Sequence, residues 1–184
     1  MEKKIVVAGK GGQGILLAGK LLALAAIAEH KEVTWFPAYG AEMRCGTAHC
    51  TVIVSDQFIG APLSKSCDCL LAMSEPADVR FASHVVPGGL ILYETALVKK
   101  TPLENGVKTY GIPALRIAAD AGDQRAANMV MVGALIGMTG IFSLMSLLAS
   151  IESVFAGRSA LIDKNKRLLE KGYSAYAHQK SLHG

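Results

Sequence analysis

Aromatic side chains are scarce in this chain, one Trp, five Tyr and five Phe, 6% of its residues. No stretch interleaves them with Lys and Arg, the pattern that stacks bases while neutralising phosphates, so no nucleic-acid surface is expected. The formal net charge of +4 comes mostly from the two ends, with Lys3 and Lys4 at one and Lys164, Lys166, Arg167 and Lys171 at the other. Solvated terminal segments account for that more simply than an acidic partner does.

Cysteine is also sparse and wrongly spaced for a cluster. Four residues separate Cys45 from Cys50 and one separates Cys67 from Cys69, so no C-x-x-C pair is present. Buried free thiols are the simpler expectation, with an iron–sulfur or zinc site as the alternative. His30, His49, His84, His178 and His183 are scattered, and only His49, next to Cys50, lies beside a thiol. No metal site is expected.

A secretory h-region is missing too, because only four apolar residues (Ile5–Ala8) follow Met1-Glu2-Lys3-Lys4 before the glycines begin. A cytoplasmic protein with reduced thiols is expected. Residues 126–151 lack charge entirely, which raises a membrane span. Gly133, Gly137, Gly140, Ser143 and Ser146 interrupt that stretch. Two consecutive buried helices breaking near Thr139-Gly140, or a helix in a subunit interface, fit better, and no membrane contact is expected.

Against these absences stands an apolar majority, 51% of 184 residues, enough for a substantial core in one domain spanning 1–184. Residues 4–8 read as a strand and 14–28 as a buried helix. A second strand covers 33–36 and is expected to stop at Pro37. Residues 47–54 alternate polar and apolar side chains with the period of a half-buried strand, and Phe58-Ile59 is a candidate hairpin partner for it. Further strands are expected at 69–73, 90–93 and 107–110, with helices at 76–83, 113–121 and 159–172. The expected fold class is α/β, a three-layer α/β/α sandwich with a mostly parallel or mixed sheet and a Rossmann-like first βα unit.

Three segments concentrate chemistry. Gly9-Lys10-Gly11-Gly12-Gln13-Gly14-Ile15 follows the first strand and opens the first helix, the context in which backbone N–H groups meet an anion. No acid ends the second strand to hold a ribose hydroxyl, which weakens a dinucleotide reading. Lys10 stands at the front of the loop, so it is not a Walker loop either. The loop serves strand–helix geometry alone, or forms a nest for phosphate with Gln13 adding an amide, or faces a partner subunit. Tyr39-Gly40-Ala41-Glu42-Met43-Arg44-Cys45-Gly46 is a surface loop with a Glu42–Arg44 ion pair, or packs beside the glycine turn at a ligand crevice. Asp123-Gln124-Arg125-Ala126-Ala127-Asn128 puts an amide into an apolar run, where it needs a partner in a loop backbone, the glycine turn or a ligand.

Taken together these segments resemble the gamma subunit, or gamma domain, of the 2-oxoacid:ferredoxin oxidoreductases, the pyruvate/ketoisovalerate/2-oxoglutarate group. Gly9–Ile15 matches that family's G-x-G-G-Q-G-I, and Tyr39–Gly46 its Y-G-x-E-x-R-G-G. Ile112-Pro113-Ala114 followed by Arg125–Met129 matches a third block, and Asn165 through Gly172-Tyr173 resembles its C-terminal helix. Cys45 departs from the pattern, standing where the family usually has glycine. If that position needs positive φ, the substitution costs roughly 1–2 kcal/mol.

The resemblance implies a multisubunit, thiamine diphosphate-dependent enzyme that decarboxylates a 2-oxoacid oxidatively, with coenzyme A as acyl acceptor and ferredoxin as electron acceptor. It places thiamine diphosphate on alpha and beta subunits and iron–sulfur clusters on a delta subunit or elsewhere. This chain would carry no catalytic residue and would be inactive alone. Gly9, Gly11, Gly12, Gln13 and Gly14 would meet the phosphates of coenzyme A or lock the assembly. Glu42 and Arg44 would order the neighbouring loop, Arg125 and Asn128 would support the crevice, and the uncharged helices would bury against alpha or beta. The substrate would be 2-oxoglutarate or a branched-chain 2-oxoacid rather than pyruvate. An isolated chain could pair with itself as a homodimer to hide apolar surface. The alternatives are a free-standing nucleotide-binding module and an indolepyruvate-type subunit.

Overall fold

A computed structural model describes residues 1–38, 47–61, 64–99 and 106–176. Among the described residues six strands form one sheet, in the order β2-β3-β1-β4-β5-β6. They are β1 (Glu2–Lys10), β2 (Glu32–Ala38), β3 (Thr47–Ser55), β4 (Cys67–Ala72), β5 (Val85–Glu94) and β6 (Lys108–Ile112). β4, β5 and β6 continue parallel from β1, and β3 alone runs the other way, antiparallel to both β1 and β2. The sheet is thus mixed, as expected.

Six helices lie among the described residues: α1 (Ile15–Ala28), α2 (Glu75–Phe81), α3 (Ala114–Asp120), α4 (Ala127–Thr139), α5 (Leu144–Val154) and α6 (Ser159–Tyr176). They cover the two faces unequally. Side chains alternate along a strand, so Ile5, Val7, Leu71 and Leu92 point into a core shared with α1, α3, α4, α5 and α6. Val6, Ala8, Leu70 and Ile91 point into a smaller core under α2, closed by Ala77 and Phe81. The result is the three-layer α/β/α class.

Two expectations at the antiparallel edge need correction. β2 runs through Pro37 to Ala38, because β2 is the sheet's edge and a residue without an N–H disturbs no ladder on the open side. Pro37 stands opposite Cys50. Phe58 and Ile59 form no strand. The partners expected of them are supplied on both sides of β3 by β1 and β2, which leaves no free edge there for a hairpin.

The uncharged stretch does break into two helices at Gly140, whose φ of +62° closes α4 in the left-handed conformation. Every residue from Ala127 to Gly137 is buried inside this chain, which corrects the expectation that this helix covers itself against a partner subunit. α4 lies under α6 at a close crossing. A Cβ on Gly133 would fall 2.0 Å from the Leu169 carbonyl oxygen, and one on Gly172 2.1 Å from that of Val130. α5 is more open, with Met145 exposed. No helix among the described residues is long and apolar enough to cross a membrane.

Candidate functional site

The strand order reverses at β1. The chain leaves β1 toward β3 and β2 on one side, and β4 starts the run toward β6 on the other. α1 and α2, which follow β1 and β4, belong to opposite faces. In open α/β sheets a crevice forms at such a point, beyond the carboxyl ends of the strands. Here its walls are the glycine turn after Lys10 and the segment after Ala72.

Each glycine of the turn answers a different demand. Gly14 caps α1 with φ +70°, and a Cβ there would fall 2.4 Å from Asn128 Nδ2. Gly12 has φ +87° with nothing near its Cβ position, and Gly11 is equally open. Gly9 is hemmed in, its Cβ position 2.5 Å from Gln13 Oε1 and 2.7 Å from Ile15 Cδ1. The outer turn is therefore bare backbone, while its two flanks are packed. No side chain caps α1 and its first turn holds no acid. The leading N–H groups of a helix have no intrahelical acceptor, and the helix dipole adds partial positive charge there. This combination favours an anion.

Asn128 is 3% exposed and donates through Nδ2 to the Gly14 carbonyl at 3.1 Å. The same carbonyl accepts from Ala18 N–H at 3.0 Å. Of the partners open to it in the sequence, the buried amide therefore takes the glycine turn. Gln13, expected to add an amide to the nest, is bonded inside the chain. Its Oε1 accepts from Lys10 N–H at 2.6 Å and its Nε2 donates to the Met73 carbonyl at 2.9 Å.

Arg125 sits on a short 3-10 turn, Gln124–Ala126, just before α4. Asp123 shapes that turn by accepting from Arg125 N–H at 3.1 Å, while its other oxygen meets Lys164 Nζ at 2.7 Å. The Lys164 bond, with help from the Arg125 N–H, holds the Asp123 carboxyl below the usual carboxylate range. The Arg125 guanidinium is exposed and forms no ion pair among the described residues. It borders a cavity of about 220 Å³ together with Gly12, Gln13, Met73, Leu115 and Ala127. Apolar walls with a cation and a bare glycine turn at the rim suit an anionic group carried on a less polar body.

Met73 and Leu115 were not singled out by the sequence reading. Their signal lies in topology, since Met73 directly follows β4 and Leu115 stands in the first turn of α3, just after β6, both parallel strands that end at this edge. Glu94, the last residue of β5, belongs with them. It is fully buried and accepts from Ala96 N–H at 3.0 Å and Leu115 N–H at 2.9 Å, fixing the start of α3. Glu42, Arg44 and Cys45 lie outside the described residues. The segment's described flanks, Ala38 and Thr47, end at this same edge, with Thr47 paired to Lys10.

The topology also bears on the dinucleotide reading. A ribose acid would come from the strand beside β1, but β3 stands between β1 and β2. The end of β2 is thus two strand spacings, about 10 Å, from the glycine turn.

Cys50, Cys67 and Cys69 are buried and free. Burial pushes the Cys50 thiol up to about 11 and those of Cys67 and Cys69 to about 12, with the Asp68 charge adding to the last two. Cys67 and Cys69 belong to the cores on opposite faces of the sheet. Among the described residues no group of three or more His, Cys, Asp or Glu could hold a metal ion.

Comparison with known proteins identifies the family and agrees with the fold. The family model described as pyruvate ferredoxin/flavodoxin oxidoreductase matches residues 4–175. The ketoisovalerate oxidoreductase subunit VorA of Methanothermobacter thermautotrophicus is 40% identical over 93% of this chain, which spans only 36% of that protein. The 2-oxoglutarate synthase subunit KorC of Methanocaldococcus jannaschii is 36% identical over 94% of this chain and 93% of its own length. Among solved structures, the gamma subunit of a keto/oxoacid ferredoxin oxidoreductase from Geobacter sulfurreducens superimposes with a TM-score of 0.81 at 29% identity, covering 99% of both chains. A 2-oxoglutarate:ferredoxin oxidoreductase from Magnetococcus marinus, with 2-oxoglutarate, coenzyme A and succinyl-CoA bound, gives 0.83 at 27% identity over 97% of this chain and 31% of that one. The chain belongs to the pyruvate ferredoxin/flavodoxin oxidoreductase family, in the part of it represented by the gamma subunits of 2-oxoacid:ferredoxin oxidoreductases.

Proposed function

We propose that this chain is the gamma subunit of a 2-oxoacid:ferredoxin oxidoreductase and that its glycine turn receives the phosphates of coenzyme A. The observation that carries the reading is the uncapped start of α1 behind the open backbone of Gly11 and Gly12, facing a cavity that Arg125 borders. Gly12 and the leading N–H groups of α1 offer donors without a competing acid. Arg125 adds an exposed full charge, and Asn128 holds the turn in place from below. Glu42 and Arg44 join the proposal on their motif alone.

In the assembly the 2-oxoacid loses carbon dioxide, ferredoxin takes the electrons, and the acyl group passes to the thiol of coenzyme A. Thiamine diphosphate, on the alpha and beta subunits, supplies the carbanion chemistry. This chain supplies binding and orientation. The iron–sulfur clusters belong to partner subunits, a division supported by the placement of Cys67 and Cys69 in cores on opposite faces of the sheet. The bound state named for the Magnetococcus neighbour supports a role for coenzyme A here. The names and identities of the ketoisovalerate and 2-oxoglutarate relatives support a branched-chain 2-oxoacid or 2-oxoglutarate as substrate rather than pyruvate.

The test is to purify the native complex through a tag on this chain. Alpha and beta subunits should come with it, and the complex should oxidise a 2-oxoacid only when coenzyme A is present. A chain that emerges alone and binds a nucleotide without partners would overturn the reading.

A further inference from the structure

The β1–β4 ladder stops one rung early, and a side chain stands where that rung belongs. The two strands are parallel, with Ala8 opposite Ala72. Continuing that register puts Gly9 opposite Met73. In a parallel ladder a residue donates to the partner before its opposite number and accepts from the one after it. Met73 makes the first of these bonds, its N–H donating to the Ala8 carbonyl at 2.8 Å. The second would join the Lys10 N–H to the Met73 carbonyl. Instead the Gln13 carboxamide lies between them, accepting from Lys10 at 2.6 Å and donating to Met73 at 2.9 Å.

We propose that Gln13 is a positioning residue whose carboxamide is spliced into the ladder as a surrogate peptide group, spreading β1 from β4 by its own width and bracing the crevice open. Both backbone groups stay bonded, so the widening leaves no buried donor or acceptor unmet. The glycine at position 9 fits the same device, since a Cβ there would strike Gln13 Oε1 at 2.5 Å. The wedge also sets the turn. Gln13 N–H donates to the Lys10 carbonyl at 3.3 Å, so backbone and side chain of one residue close Gly11 and Gly12 into a single shape. Only a group with an acceptor and a donor side by side can do this. Glutamate at neutral pH has the acceptor and lacks the donor, whereas protonated glutamic acid has both.

The effect on coenzyme A rests on the function proposed above, but the wedge itself can be read in the ligand-free chain. In the wild-type full chain, NMR should show a scalar coupling across the hydrogen bond from the Lys10 amide to the Gln13 side-chain carbonyl. Gln13→Glu at pH 7 keeps an acceptor for the Lys10 N–H but sets a carboxylate against the Met73 carbonyl, so it should unfold at lower urea than wild type at the same pH, and the gap should close as the carboxyl protonates below about pH 4. In Gln13→Met, of similar size with no hydrogen-bonding pair, Lys10 amide protection relative to wild type should fall about tenfold at pH 7 and at pH 4 alike. Absence of the coupling, unchanged Lys10 protection in Gln13→Met, or a Gln13→Glu chain as stable as wild type at pH 7 would overturn the proposal. A loss of protection that leaves the KM for coenzyme A of the assembled enzyme unchanged would support the wedge and count against the coenzyme A reading.

Discussion

Asn128 and Gly14, 114 positions apart, meet in one hydrogen bond of 3.1 Å between a buried side-chain amide and the carbonyl that begins α1. The bond joins the start of α4 to the glycine turn, and it admits only a donor from Asn128. Asn128→Asp puts a carboxylate against a carbonyl in a buried place. A loss of about 2–3 kcal/mol is expected, read by urea unfolding, together with a higher KM for coenzyme A in the assembled enzyme. A variant as stable as wild type would show that the bond does not hold the turn.

Gly172 answers Gly133 across the α4–α6 crossing, where the obstacle to any side chain is a backbone carbonyl. Gly172→Ala should cost about 3 kcal/mol, or roughly 6–12 °C in Tm for a chain of this size. Gly60→Ala, where a Cβ meets nothing within 4 Å, is the neutral control.

Glu29, at the end of α1, caps α5 from outside it. Its Oε1 accepts from Ser143 N–H and from the Ser146 hydroxyl, each at 2.7 Å. Partial burial alone would raise its pKa, but these bonds, with the Lys31 charge, outweigh it and hold the carboxyl below its ordinary value of 4.5. The folded state therefore favours the carboxylate. Its contribution is present above pH 4.5 and is lost as the pH falls through the lower folded value. Glu29→Ala should destabilise the chain by about 1 kcal/mol at pH 7, as loss of a helix cap does, and by less at pH 3. Equal gaps at the two pH values would remove the carboxylate from the account.

How much of this was legible in the sequence differs by the kind of interaction. Gly12 and Gly14 lie at positive φ where the spacing put a turn, and the break at Gly140 fell where the small residues predicted it. These are local demands, and glycine announces them. Pro37 misled because its penalty depends on whether the strand has a neighbour on that side, which a neighbour's order in the sheet decides. The insertion of β3 between β1 and β2 had no local marker either. The hydrophobic run of α4 announced burial without saying in what, and Gly172, on the far side of that contact, looked like one position in an amphipathic helix. Of the candidate site, the glycine turn, Arg125 and Asn128 meet in space. Glu94, Met73 and Leu115 join them through strand order, which no motif encodes.

The most direct measurement is the KM for coenzyme A of the assembled enzyme carrying Gly12→Asp beside Gly12→Asn. Both variants place a side chain of the same shape at φ +87°, and they differ in one negative charge at the mouth of the turn. If the turn receives the phosphates, the Asp variant should show a KM at least about tenfold above that of the Asn variant, with kcat and subunit composition unchanged. Equal KM values in two intact assemblies would contradict the claim that this loop binds coenzyme A.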